Sequence, residues 1–224
     1  MKEFLEQHKL DAILVQPPAN MRNISGFTGE GLVYTSKEDA WILTDSRYTI
    51  AAAEESRGFE VLEYKKNIRQ YLVEKIVNEH PELAEKPFRI GFEDAVMTVE
   101  TYRTLQALFE KMNLKQWKLV PLHKKLDKMR QVKTPEEIES IKKAEAIGDE
   151  AFTKIVKFLT KCYREKIPVT EKQAAAHIEF YMRDAGAEGT SFDTIAASGS
   201  NSSLPHAMPQ PKLLTEGDFL TMDF

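Results

Sequence analysis

Between residues 12 and 120 the sequence alternates strand-length apolar runs with amphipathic helical stretches, a pattern that a sheet covered by helices satisfies. Ala12-Ile13-Leu14-Val15 is a compact apolar run, stopped by Pro17-Pro18, which suit the first turn of a following helix. The glycine-rich stretch 26–31 reads as a turn. Residues 32–35 and 40–44 form a hairpin around Ser36-Lys37-Glu38-Asp39. Helices are expected at 2–8, 48–55, 68–78 and 99–112, and further strands at 60–64, 89–92 and 118–120. Together these make a complete α/β domain with a mixed sheet, about 120 residues long.

Composition changes at 122–133, where Lys124, Lys125, Lys128, Arg130 and Lys133 face a single Asp127. A basic run of this kind serves phosphate or partner binding, or it is a solvated linker; no aromatic side chains interleave for base stacking, which favours the linker. The expected organisation is therefore a domain over 1–122, a linker over 123–133 and a second domain over 134–224. Thr134-Pro135-Glu136-Glu137 has the form of a capping box, and the apolar series from Ile138 to Leu159 marks a long helix behind it. Thr170-Glu171-Lys172-Gln173 opens another helix, which carries Ala174, Ile178, Tyr181 and Met182 inward and ends at Gly186. Strands are then expected at 190–198 and 219–224, joined by a Pro/Ser/Asn/Gly-rich segment.

A chain of 224 residues buries about 70% of the surface its unfolded form exposes and needs neither disulfide nor metal to fold. Thirty-one Lys and Arg against 35 Asp and Glu leave a net charge of −4, which gives no general electrostatic ground for nucleic acid or an anionic membrane. The start, Met1-Lys2-Glu3-Phe4-Leu5-Glu6, lacks the apolar stretch of a secretory signal, and no apolar run is long enough to span a bilayer. The sole cysteine, Cys162, fits a reducing compartment, so a cytoplasmic protein is expected.

Few residues suggest chemistry. The glycines at 26–31 lack the spacing of a dinucleotide fingerprint and precede a strand pattern rather than a helix. Cys162 lies in a helical pattern without a nucleophile motif, and His8, His80, His123 and His177 are scattered without zinc spacing. His206 differs. It follows Pro205 at the end of Ser198-Gly199-Ser200-Asn201-Ser202-Ser203-Leu204, a small-residue loop that can hold an imidazole at a cleft mouth, ready to donate to a carbonyl or its developing charge. Asp223, between Met222 and Phe224, is either on the polar face of a strand or buried with a partner or metal.

Several stretches in order resemble the pita-bread metallopeptidases, and among them Xaa-Pro dipeptidase (prolidase) and aminopeptidase P. They are Met129-Arg130 with Lys133-Thr134-Pro135-Glu136-Glu137-Ile138, Val169-Thr170-Glu171, Gly186-Ala187-Glu188-Gly189-Thr190-Ser191-Phe192, Thr194 to Gly199 with Asn201, and Pro205-His206. Leu10-Asp11-Ala12, Gly26-Phe27-Thr28-Gly29 and Thr44-Asp45 with Arg47-Tyr48 resemble the creatinase-type domain that precedes the catalytic domain in that family. The resemblance implies a creatinase-type domain followed by the first half of an α+β pita-bread domain. It implies hydrolysis of the bond before a proline in second position, in short peptides, by two divalent ions (manganese, cobalt or zinc) about 3.5–4 Å apart.

By the same resemblance His206 matches the histidine that contacts substrate, and Asp223 matches the first of five metal ligands, two Asp, one His and two Glu. The other four have no counterpart here, so the isolated chain is expected to be truncated at that ligand, to assemble no dinuclear centre and to be inactive alone. A homodimer through the N-terminal domain is expected. The alternative reading is a non-catalytic dimerisation or regulatory module. A creatinase-like, metal-free enzyme would also require the portion without a counterpart.

Overall fold

A computed structural model describes residues 1–224. The chain divides into two compact units, Met1–Val132 and Lys133–Phe224. In the first, six strands form one mixed sheet: β1 Ala12–Val15, β2 Leu32–Ser36, β3 Ala40–Thr44, β4 Glu60–Glu63, β5 Phe88–Phe92 and β6 Trp117–Pro121, in the order β4-β3-β2-β1-β5-β6. β1 pairs antiparallel with β2 and β2 with β3, whereas β1–β5, β3–β4 and β5–β6 are parallel. Each parallel pair needs a crossover, and helices supply them.

Those helices cover both faces of the sheet. α4 Ile68–Glu79 and α5 Val99–Lys111 pack Leu72, Ile76, Leu105 and Phe109 against Leu14, Tyr34, Trp41 and Ile90. On the other face α1 Lys2–Gln7, α2 Pro18–Ser25 and α3 Thr49–Glu55 bring Leu5, Met21 and Ala52 against Ile13, Val15, Val33 and Ile42. Successive residues of β1 thus point into opposite cores, which is why all four are apolar. Asn67 caps α4 through its side-chain oxygen and Thr98 caps α5 through its hydroxyl. α2 ends at Gly26 with φ +87°, where an added Cβ would lie 2.6 Å from the Glu55 carbonyl oxygen; only glycine fits that turn without a shift.

Residues 123–133 hold a short helix, α6 Lys125–Met129, whose Leu126 is buried with Leu122 in the second of these cores. Asn20, buried on α2, ties this helix to the sheet. Its Nδ2 donates to Glu93 and, at 2.9 Å, to Asp127, and its Oδ1 accepts from Arg130 Nε at 2.6 Å. A 3-10 turn at Pro81–Glu85, absent from the sequence pattern, follows α4.

The second unit is built on α7 Pro135–Glu165 and α8 Glu171–Asp184, both opened by complete capping boxes at Thr134 and Thr170. α8 buries Ala174, Ile178 and Met182 against Ala151 and Ile155 of α7. A two-stranded antiparallel ribbon, β7 Ile195–Ser198 and β8 Leu220–Asp223, completes it, with Ala196 in the same core. Both strands are shorter than the expected 190–198 and 219–224. Ile138 and Ile141, part of the apolar series of α7, are exposed. No helix of the chain is long and apolar enough to cross a membrane.

Candidate active site

The loop between β7 and β8 is organised by one carboxylate. The Thr170 capping box fixes the start of α8 and sets Glu171 at its first position, with no exposed surface. Glu171 Oε1 accepts from the Ser198 backbone N–H at 2.6 Å and from the Ser198 hydroxyl at 2.8 Å. Its Oε2 accepts from Asn201 Nδ2 at 2.8 Å and from the Gln210 backbone N–H at 2.9 Å. Burial alone pushes this carboxyl up, but the Ser198 and Gln210 N–H groups with the Ser198 and Asn201 side chains outweigh it and hold it below the usual glutamate range. Both ends of the 198–210 loop are therefore fastened to the same charged group.

A second support lies at Gly199, whose φ is +51°. Lys212 Nζ donates to the Ser198 carbonyl at 2.8 Å and lies 3.6 Å from Asp218, and a Cβ on Gly199 would meet Asp218 Oδ2 at 2.6 Å. The 3-10 turn Gly199–Ser203 is closed by Ser202 Oγ donating to the Gly199 carbonyl at 2.6 Å and Ser203 Oγ to the Ser200 carbonyl at 2.8 Å. Ala207 is buried beside His206, so the backbone there is anchored while the imidazole is exposed. An exposed imidazole on an anchored backbone is free to meet a ligand from solvent without reordering the loop.

Asp223 takes the exposed of its two possible positions. Along β8 exposure alternates, and the half-buried Met222 and Phe224 pack toward the core. Asp223 stands opposite Ile195 in the ribbon. Nowhere in the chain do three or more His, Cys, Asp or Glu side chains form a group able to hold a metal ion. A single exposed carboxylate does not fit a two-ion centre, which needs several protein donors to fix its geometry.

The remaining sequence candidates are structural. Cys162 is buried in the core of the second unit, and the His177 ring packs on Phe158 with centroids 3.9 Å apart. His80 and His123 bond Asp39 and Asp94, at 2.8 and 3.0 Å. A cavity of about 680 Å³ is lined by Leu159, Tyr163, Val169, Leu214 and Leu220, and neither His206 nor Asp223 lines it. Glu171 is the residue that sequence reasoning passed over. In the sequence it reads as an acid in a first helical turn, and its partners 27, 30 and 39 residues away leave no local signal.

Two family models match this chain. That of the creatinase/prolidase N-terminal domain covers residues 1–132, and that of metallopeptidase family M24 covers residues 139–224. An uncharacterised peptidase of Bacillus subtilis is 35% identical over all of this chain and 59% of its own length. The Xaa-Pro dipeptidase of Pyrococcus furiosus is 29% identical over 99% of this chain and 58% of its own. Among solved structures, an X-Pro aminopeptidase from Thermotoga maritima superposes with a TM-score of 0.79 at 33% identity, covering 98% of this chain and 59% of that one. The Xaa-Pro dipeptidase of Bacillus anthracis gives 0.82 at 29% identity, covering 99% and 57%. The chain thus spans under two thirds of the length of each of these relatives.

Proposed function

Because the chain belongs to the creatinase/prolidase family, its N-terminal domain being followed by a segment of metallopeptidase family M24, we propose that it is part of a metal-dependent hydrolase of the Xaa-Pro dipeptidase or aminopeptidase P type. The likeness to Xaa-Pro peptidases along nearly the whole chain, in sequence and in fold, supports this reading. Substrates are short peptides with proline in second position. The bond before proline is a tertiary amide without an N–H, so a peptidase for it has to hold substrate by something other than a complete strand ladder.

His206 is the group with which this chain meets substrate. Held on the loop that Glu171 fastens, its imidazole donates to the carbonyl oxygen of the bond before proline, where negative charge develops. Asp223 is the first carboxylate of a ligand set for manganese, cobalt or zinc that the chain's other residues do not complete. Dimerisation through the first unit and a cytoplasmic location complete the proposal. A second reading, a non-catalytic dimerisation or regulatory module, is favoured by the contrast between a first unit with its sheet covered on both faces and a lone carboxylate at 223.

The test is hydrolysis of an Xaa-Pro dipeptide with added manganese or cobalt. The 224-residue chain alone is expected to show no turnover and to retain no tightly bound metal by elemental analysis. With a second polypeptide supplying the family's other four ligands, metal uptake and turnover are expected to appear, and His206→Ala is expected to lower that turnover about 10²- to 10³-fold. Turnover by the isolated chain, abolished by Asp223→Asn, would refute its inactivity. A mixture that takes up metal yet cleaves no Xaa-Pro bond would favour the non-catalytic module.

A further inference from the structure

Residues 123–132, which carry α6 and end the first unit, begin on strained backbone. His123 and Lys124 both lie in the left-handed region, with φ +48° and +58°, which is costly for any residue that bears a Cβ. Leu126 is the only buried residue of the segment. A cavity of about 110 Å³, lined by Glu93, Val96, Lys124, Lys125 and Asp127 among others, separates it from the stretch that follows β5. Strain, a single apolar anchor and loose packing are the marks of a segment that opens by itself.

Polar clasps fasten it at both ends, and both start from the two residues after β5. At the entry, Asp94 accepts from the His123 backbone N–H at 2.8 Å and lies 3.0 Å from its Nδ1. At the exit, Glu93 acts through the buried Asn20 of α2. One hydrogen of Asn20 Nδ2 goes to Glu93 and the other, at 2.9 Å, to Asp127, so a single amide stands between two carboxylates. Arg130, the cation at this end, pairs with Asp127 at 3.1 Å and not with Glu93. The second oxygen of Glu93 accepts from the Gln16 backbone N–H at 3.1 Å. A half-buried carboxylate thus faces a like charge without an ion-pair partner of its own.

We propose that residues 123–132 form a strap that a proton on Glu93 holds closed and that opens locally when Glu93 is charged, releasing up to about 35 Å of chain ahead of Lys133, where the second unit begins. A neutral Glu93 ends the repulsion across Asn20 and keeps acceptor capacity for its donors. Opening carries Asp127 away and lets water reach the carboxylate, so the charged form gains by it. Burial, with a smaller contribution from Asp127, raises the Glu93 pKa against the Asn20 and Gln16 bonds and the Arg130 charge. The strap therefore tightens as pH falls through a value above the ordinary 4.5. Asp94 and Asp127 stay charged there, held down by the His123 N–H and by Asn20 with Arg130. Two histidines also face the strap, His123 on Asp94 and His8 at the end of α1, whose pKa burial and Lys125 lower. The device is independent of the peptidase reading.

The experiment is amide hydrogen exchange by NMR on the whole 224-residue chain, corrected for intrinsic rates, from about pH 5 to about pH 8. His8→Gln and His123→Gln are built in, so that neither histidine titrates. The Lys128 and Arg130 N–H groups donate to the Lys124 and Asp127 carbonyls and report on closure. Their protection is expected to fall about fivefold as pH rises, while Leu105 and Phe109 of α5 keep theirs. Glu93→Gln, which carries no charge at any pH, is expected to abolish the dependence. Asp127→Asn keeps an oxygen for Asn20 and Arg130 but removes the facing charge, and is expected to cut the change to about twofold. Should Glu93→Gln not fold, Asp127→Asn and the side-chain carboxyl titration of Glu93 by carbon-13 NMR, with a midpoint above 4.5 expected, still decide. Protection independent of pH, a parallel fall in α5, an unchanged dependence in either variant, or a Glu93 midpoint at or below 4.5 would overturn the proposal.

Discussion

Glu171 and Ser198 are joined twice, backbone N–H and hydroxyl both donating to one carboxylate oxygen at 2.6 and 2.8 Å. The other oxygen is equally committed, to Asn201 and Gln210, and every partner is a donor. Glu171→Gln places an NH₂ group against two of those donors wherever the amide is flipped. A loss of about 2–4 kcal/mol in the stability of the second unit is expected, read from the urea midpoint of its unfolding. Faster amide exchange at Ser198 and Gln210 than in α7 would show that the loop opens first.

The same carboxyl sets a pH dependence. Its folded pKa is depressed, so its contribution is fully present above the ordinary glutamate value of 4.5 and is lost as pH falls below that value toward the folded one. Glu93 has the opposite sign. Burial raises its pKa despite bonds from Asn20 and Gln16, so this residue favours the fold more as pH falls through the raised value. Both tryptophans, Trp41 and Trp117, lie in the first unit, so their fluorescence follows Glu93, whereas acid loss at Glu171 is expected in amide exchange of residues 198–210.

Two glycines separate conformational strain from steric conflict. Both need positive φ, but an added Cβ at Gly199 meets only the mobile ends of Asp218 and Lys212, whereas at Gly26 it meets the Glu55 backbone carbonyl. Gly199→Ala is expected to cost about 1–2 kcal/mol. Gly26→Ala is expected to cost more, about 3 kcal/mol, because backbone has to move. Urea unfolding followed by tryptophan fluorescence measures Gly26→Ala, and amide exchange measures Gly199→Ala.

Asn20→Ala is expected to loosen α6. The substitution removes one of two donors to the half-buried Glu93, which keeps the Gln16 N–H, and one of two acceptors of Arg130, which keeps Asp127. A stability loss of about 1–2 kcal/mol is expected, since both groups are only partly buried and each keeps a partner. Proteolysis within 123–133 should accelerate with it, and unchanged cleavage would mean that Leu126 alone holds the helix.

The elements with a strong local signature were legible in the sequence. The two capping boxes mark α7 and α8, and the unbroken apolar run of β1 announces a strand buried on both faces. α6 was hidden because five basic residues masked the single inward Leu126, the only residue of that helix that is buried. His206 could be singled out because a loop of small residues ending in Pro-His is unusual locally. The face on which Asp223 lies was undecided, since Met222 and Phe224 are equally compatible with either register until the ribbon with β7 fixes it. Glu171 was invisible in its main role, because its partners are brought to it by the tertiary fold.

The strand order leaves β4 and β6 at the two rims of the six-stranded sheet. β4 begins and ends with glutamate, and β6 carries Lys118 and finishes on Pro121, which has no N–H to offer a neighbour. Neither rim invites a foreign strand to extend the ladder, so these molecules are protected against fibre-like stacking.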